Sequence, residues 1–165
     1  MTKEGREVTK RRFIWRRAVI VGGLAALVLA MPTAAGGARV TRGTFHEFSA
    51  NTSLDISGHA VMVRTADGRT FVSVHAQGLL GDTTYGSHVH KQACADNLAG
   101  GHYQFVAGTG PDYVNAANEI WPGFTTDADG VGNGKARNDG TAGETAVSVV
   151  IHAPGGAKIA CADLD

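Results

Sequence analysis

Short runs of alternating apolar and polar residues, broken by turn signals, constrain the fold of this chain more than any other feature. No stretch after residue 35 shows a sustained helical period of apolar residues. The runs predict β-strands at 41–49, 58–65, 69–78, 130–138, 145–153 and 157–164, with a hairpin turn around Asp67-Gly68. Several short strands spaced by turns predict an antiparallel sandwich or barrel.

The first 35 residues differ from the rest and predict an export signal. A basic segment at 10–17 precedes an apolar run at 18–31, which is short for a bilayer span, and small residues follow it. Cleavage after Ala35 fits these residues, and a site after Ala38 is also compatible. Arg16-Arg17 fits a twin-arginine route, and the ordinary secretory route stays open. An uncleaved membrane anchor is the alternative, and no cysteine follows the run to favour a lipoprotein.

Residues 36–165 are long enough for one domain with a real core and too short for two. The whole chain has formal charge zero, but seven Lys/Arg and only two Asp/Glu lie in residues 1–35, so the remainder carries −5. An acidic domain argues against nucleic acid and anionic lipid as partners, because both require a basic surface.

Residues 91–126 are rich in Gly, Asn, Asp and Pro and predict a long loop, which is uncommon unless functional or tethered. The chain has two cysteines, Cys94 in this loop and Cys161 in the last predicted strand. In an oxidising compartment such a pair usually forms a disulfide. The competing hypothesis is a pair of copper-binding thiolates.

Four histidines are candidate metal ligands because of their positions in the sequence. His88 and His90 share a face if their segment is a strand, and paired imidazoles suit copper or zinc. The alternative is two polar residues on the solvent face of a strand. His102 follows two glycines, and His152 ends an apolar run. If all four converge, they offer the nitrogen set that Cu(II) prefers.

The other three histidines lack ligand spacing. His75 alternates with Val72 and Val74 and is expected on the polar side of a strand, whereas His46 and His59 have no partner nearby in the sequence. We interpret all three as structural or surface residues.

Taken together, the motifs GSHVH (86–90), GGHYQ (100–104), VVIH (149–152) and GAKIACA (156–162) resemble those of the copper/zinc superoxide dismutase family across residues 40–165. The resemblance implies an eight-stranded antiparallel Greek-key β-barrel and a Cys94–Cys161 disulfide. It also implies that His88, His90, His102 and His152 ligate copper.

The chain departs from the family at its zinc site. The family adds two histidines and an aspartate to the residue matching His102, but no histidine lies between 103 and 151. Asp112, Asn118 and Glu119 are the remaining oxygen donors, too few of the right type for a stable zinc site. Zinc is therefore not expected, and Glu119 is the candidate to orient His102.

Two further departures concern the substrate. Only eight residues separate His152 from Cys161, so the long charged loop of the zinc-bearing members is absent, and Lys158 replaces an arginine. Lysine keeps the charge but loses the planar fork of donors. Both changes match the copper-only members of the family.

The leading hypothesis is thus an exported, copper-only superoxide dismutase acting outside the cytoplasmic membrane, with His102 in proton transfer and Lys158 guiding superoxide. A copper-binding or copper-delivery domain with little turnover is the second hypothesis, and a metal-free relative is the third. Membrane contact is expected only if the signal is retained as an anchor. The sequence does not indicate an oligomeric state.

Overall fold

The computed structural model describes residues 37–48 and 53–165, and the predicted export signal lies outside these ranges. The described residues form two antiparallel sheets without any helix, which confirms the all-β prediction. The strands are β1 (Arg39–Thr44), β2 (His46–Glu47), β3 (Ser57–Arg64), β4 (Thr70–Gln77), β5 (Thr84–His90), β6 (Phe124–Thr125), β7 (Gly132–Asn138), β8 (Ser148–His152) and β9 (Lys158–Asp163). Within the described ranges, no helix is long and apolar enough to cross a membrane.

The strands divide into a four-stranded sheet, in the order β1-β3-β4-β7, and a five-stranded sheet, in the order β2-β9-β8-β5-β6. Backbone hydrogen bonds join the two sheets at both edges. Arg42 and Asp165 exchange a pair of bonds of 3.0 and 3.1 Å beside β1 and β9. Thr126 and Gly132 form an isolated bridge between β6 and β7. One pair of backbone hydrogen bonds and one isolated bridge therefore connect the two sheets.

The core lies between the inner faces of the sheets, where alternate residues of each strand are buried. The alternation is complete on β4, whose inward residues are almost fully buried while their neighbours stay partly exposed. The inward side chains are Ala60, Met62, Val72, Val74 and Ala76 from one sheet, and Tyr85, Val89, Val149 and Ile151 from the other.

The predicted strand at 41–49 is wrong as a single element. Phe45 is buried and separates β1, which pairs with β3, from β2, which pairs with β9 in the other sheet. Gly43 permits this transfer, because a Cβ there would lie 2.0 Å from the Asp163 carbonyl oxygen. Alternation of residue type predicts extended backbone but not the sheet that each part joins.

The outer face of the five-stranded sheet is covered by the long loop predicted at 91–126. The disulfide Cys94–Cys161 ties the loop to β9 and confirms the predicted pairing. Ala99 and Val150 pack around the disulfide in a small second core. The loop is less irregular than expected, since β6 ends it and the bridge Gln104↔Glu119 crosses it. The loop therefore holds its residues against the ends of β5 and β8.

Candidate metal centre

Three of the four candidate histidines lie on adjacent strands and on one face of the sheet. β5 and β8 pair so that Gly86 stands opposite His152, with His88 and His90 two and four residues further along β5. Because side chains alternate between faces, positions 86, 88, 90 and 152 all point away from the inner core. His102 arrives from the covering loop through an isolated bridge with His90.

These four side chains form one cluster, in which a nitrogen atom from each ring lies within 4.8 Å of the nitrogen atoms of the other three. Donors bound to one ion at about 2.0–2.1 Å lie at most about 4.2 Å apart, so a contraction of roughly half an ångström would complete a site. Within the described residues, no other group of three or more His, Cys, Asp or Glu converges in this way. The cluster could therefore bind a metal ion.

The hydrogen bonds of His90 and His152 leave the Nε2 atoms of these rings as ligands. The Nδ1 atoms of His90 and His152 donate to the carbonyl oxygens of Gly100, at 3.2 Å, and Gly156, at 3.0 Å. Each neutral ring then carries its proton on Nδ1 and a lone pair on Nε2. The two Nε2 atoms lie 3.3 Å apart. With no proton to share, these lone pairs repel each other unless a cation lies between them.

In His88 the candidate ligand atom is Nδ1 rather than Nε2. Its Nδ1 atom is buried and has no hydrogen-bond partner within the described part of the chain. An orphaned buried nitrogen is costly, and ligation of a metal ion would satisfy it. A Cβ at Gly86 would lie 3.5 Å from His88 Cε1 and 3.7 Å from the Cβ of His152. A larger side chain at Gly86 would therefore extend into the space between the two rings.

The site favours neutral imidazoles, the form that binds metal ions. Burial, with help from the neighbouring His102, lowers the pKa of His88 and His90 to about 3. Burial also lowers the pKa of His152. Three rings are therefore deprotonated and available as ligands at neutral pH.

A buried carboxylate holds the fourth ring. Glu119, 1% exposed, accepts the Nδ1 proton of His102 at 2.7 Å through Oε2. Trp121 Nε1 donates to the same oxygen at 2.8 Å, and Gln104 Nε2 donates to Oε1 at 3.0 Å. Burial alone would raise the pKa of Glu119, but these hydrogen bonds together keep it below its ordinary value. The carboxylate thus stays charged and directs the Nε2 atom of His102 toward the cluster.

Lys158 lies beside the cluster and fastens the turn that carries Gly100. Its Nζ atom donates to the carbonyl oxygens of Leu98, at 2.6 Å, and Gly100, at 2.5 Å. Residues 97–100 all have positive φ, which costs roughly 1–2 kcal/mol for each residue other than glycine. Ala99 is fully buried within the second core. Lys158 and this core together hold the strained turn against His90.

The other oxygen donors considered from the sequence do not join the cluster. Asp112 is exposed, and the Asn118 side-chain amide donates to the carbonyl oxygens of Val106 and Tyr113. Sequence reasoning missed Trp121 and Gln104, since their roles depend on how the loop folds around Glu119. The nearest signal was their spacing: Trp121 lies two residues after Glu119, and Gln104 two after His102.

The chain matches no protein-family model, and no curated protein matches it significantly. The function is therefore inferred from the geometry of the histidine cluster.

Proposed function

We propose that this protein is an exported, copper-dependent superoxide dismutase that functions without zinc. The observation that carries the proposal is the four-imidazole cluster, in which buried Glu119 holds the ring of His102. The proposed reaction is inferred from the resemblance of the surrounding motifs to those of the copper/zinc superoxide dismutases.

The donor set supports copper as the metal. Four imidazoles without a thiolate or carboxylate ligand match the nitrogen-rich environment of Cu(II), which also binds such sites more tightly than other divalent first-row metals. A neighbouring zinc site is not supported, because the Nδ1 atom of His102 is hydrogen-bonded to Glu119. A ring nitrogen cannot donate that bond and ligate a second ion simultaneously.

The order of the strands supports the Greek-key barrel. If β1 and β2 are counted as one strand that bends between sheets, eight strands remain. The chain changes sheets between β1 and β2, β2 and β3, β4 and β5, β6 and β7, and β7 and β8, and connections that leave a sheet and return to it are a feature of Greek-key folds. The hydrogen bonds along both edges are those that a closed barrel would have.

Bound copper would supply the one-electron chemistry, taking an electron from one superoxide anion and giving one to the next, with dioxygen and hydrogen peroxide as products. When its Nε2 atom is not ligating the metal, His102 would carry one of the two protons that the peroxide product needs, and solvent would supply the other, since the His102 side chain is 28% exposed. Glu119 would stabilise that ring while both nitrogens are protonated, because the carboxylate accepts the Nδ1 proton. Lys158 would add positive potential for the anion.

The predicted export signal and the disulfide support a location outside the cytoplasmic membrane, since disulfides persist in oxidising compartments. Superoxide is the proposed substrate. We expect no nucleic-acid partner, because the domain is acidic. Contact with a membrane would arise only if the signal remained as an anchor.

One observation favours a second function, copper binding or delivery with little turnover. Lys158 already donates to two carbonyl oxygens, so at most one of its three N–H groups can meet an anion. Burial also lowers the pKa of this ammonium group, which would weaken its positive charge at alkaline pH.

The test is superoxide dismutation by purified protein loaded with copper alone or with copper and zinc, with metal content measured on the same samples. Fast turnover with one copper and no zinc supports the enzyme, and tight copper binding without turnover supports delivery. His152→Ala should lose both binding and turnover. His46→Ala, an exposed histidine outside the cluster, is the matched control and should keep them.

A further inference from the structure

A second pair of histidines lies on the opposite side of the molecule, on the outer face of the four-stranded sheet. His59 on β3 stands directly opposite His75 on β4. Both side chains alternate with buried neighbours and face away from the core. Their ring centroids are 5.4 Å apart and their planes are inclined at 41°. The cross-strand register therefore brings together two imidazoles that are sixteen positions apart in the sequence.

A third residue orients one of these rings. Asn133 on β7 is the register partner of His75, and its Oδ1 atom lies 3.0 Å from His75 Nδ1. The amide oxygen can only accept, so the ring donates from Nδ1 and keeps a lone pair on Nε2. Histidines that bind metals usually have their other nitrogen held in this way. Thr44 continues the same row on β1, opposite His59.

The separation of the rings fits two ligands of one ion. Imidazoles bound at about 2.0–2.1 Å place their centroids about 4.5 Å apart at a right angle and about 5.1 Å apart at a tetrahedral angle. The observed 5.4 Å requires only small rotations of two side chains that are at least partly exposed. Since the pair is open to solvent, water can complete the coordination.

The charged residues around the pair are of both signs. The next row along the sheet carries Arg42 on β1 and Lys135 on β7, one strand outward on either side of the pair. Asp163 and Asp165 line the same cavity as His59 and offset part of this positive charge, so the imidazole nitrogens rather than the local charge decide which metal binds. Imidazole suits Cu²⁺, Ni²⁺ and Zn²⁺, whereas Mg²⁺ and Ca²⁺ need oxygen ligands and charge.

We propose that His59 and His75 form an exposed second metal site, which binds Cu²⁺ through both rings and binds Ni²⁺ and Zn²⁺ less tightly. The site is weaker than the four-histidine cluster, since it supplies two protein ligands instead of four. The core of the sandwich separates the two sites, so they cannot share one ion. This proposal does not depend on the dismutase activity.

The test is a titration with CuCl₂ of full-length protein, without a polyhistidine tag, already loaded with one equivalent of copper. Calorimetry should detect a second, weaker equivalent. His59→Ala and His75→Ala should each weaken that step at least tenfold, and Asn133→Ala should weaken it several-fold. Glu144→Gln, at an exposed carboxylate that does not line the cavity beside His59, should leave it unchanged. Zn²⁺ should compete for the site, and Mg²⁺ should not.

A spectroscopic measurement on the unchanged protein provides the second readout. Substoichiometric Cu²⁺, added after the first equivalent, should selectively broaden the NMR signals of the His59 and His75 rings. The proposal is wrong if no second copper binds, or if the His59→Ala, His75→Ala double variant retains it. Broadening centred on His46 rather than on the pair would also overturn it.

Discussion

Replacing Glu119 with glutamine tests whether this carboxylate tunes the metal centre. The side chain is 1% exposed and accepts three N–H groups, from His102, Trp121 and Gln104. Glutamine has nearly the same shape, but it removes the charge and replaces one acceptor oxygen with a donor. The remaining oxygen can still meet His102, so the ring keeps its position while its bond loses charge assistance.

The expected result for Glu119→Gln is a 10–100-fold loss of copper affinity, the range found when such orienting carboxylates are changed. This corresponds to about 1.4–2.7 kcal/mol, similar to the roughly 1.5–3 kcal/mol of a hydrogen bond to a charged group. The assay is competition for copper against a chelator of known affinity at pH 7.5.

Glu144→Gln is the matched control. Its carboxylate is exposed, pairs with Arg39 on the surface and lies outside the histidine cluster. This variant should keep the affinity of the unchanged protein, because exposed ion pairs contribute little. An affinity within twofold of the unchanged protein for Glu119→Gln would refute the reasoning. An equal loss in both variants would assign the effect to net charge alone.

Three further predictions concern stability and support of the site. Burial lowers the pKa of His90 to about 3 in the folded protein, whereas its pKa in the unfolded chain is near 6.5. The contribution of this residue to folding stability is therefore complete above pH 6.5 and is lost as the pH falls toward 3. Urea unfolding of metal-free protein should show a loss of up to about 2 kcal/mol from this residue between pH 7.5 and pH 5, and equal stability at both would contradict it. Replacing Cys94 and Cys161 with serine should cost about 4 kcal/mol of unfolding free energy and weaken copper binding, and an unchanged urea midpoint would count against the tether. Trp121→Phe keeps a ring but removes one donor to Glu119, so copper affinity should fall less than in Glu119→Gln, and a larger fall would show that the ring itself matters.

Most strand positions could be predicted because one face of each strand is buried, and burial imposes an alternation that can be read along the sequence, but β6 was missed because it lies within the predicted loop. The Asp67-Gly68 turn predicts that β3 and β4 pair, but counting back from a two-residue turn would place His59 opposite Ala76, one position away from its observed partner His75. We expected instead that His59 lacked a partner. The separation of sixteen positions in the sequence did not indicate this contact, which depends on how β3 and β4 pair.

The division of residues 41–49 between two sheets could not be predicted, because an extended segment reads the same whichever neighbour it pairs with. It depends on burial of Phe45 and on the close approach of Gly43 to β9. The convergence of His102 with the strand histidines was likewise suggested by resemblance and not by spacing. It requires the loop to fold back over β5, where long-range packing rather than local pattern decides its path.

The measurement that tests the central claim most directly is electron paramagnetic resonance of the protein with one equivalent of Cu²⁺, recorded for the unchanged chain and for His88→Ala, His102→Ala and His152→Ala. The account predicts a single tetragonal Cu(II) signal with nitrogen hyperfine coupling, altered or lost in each of these variants and preserved in His59→Ala. A spectrum that survives removal of the cluster histidines, or one dominated by oxygen ligands, would contradict it.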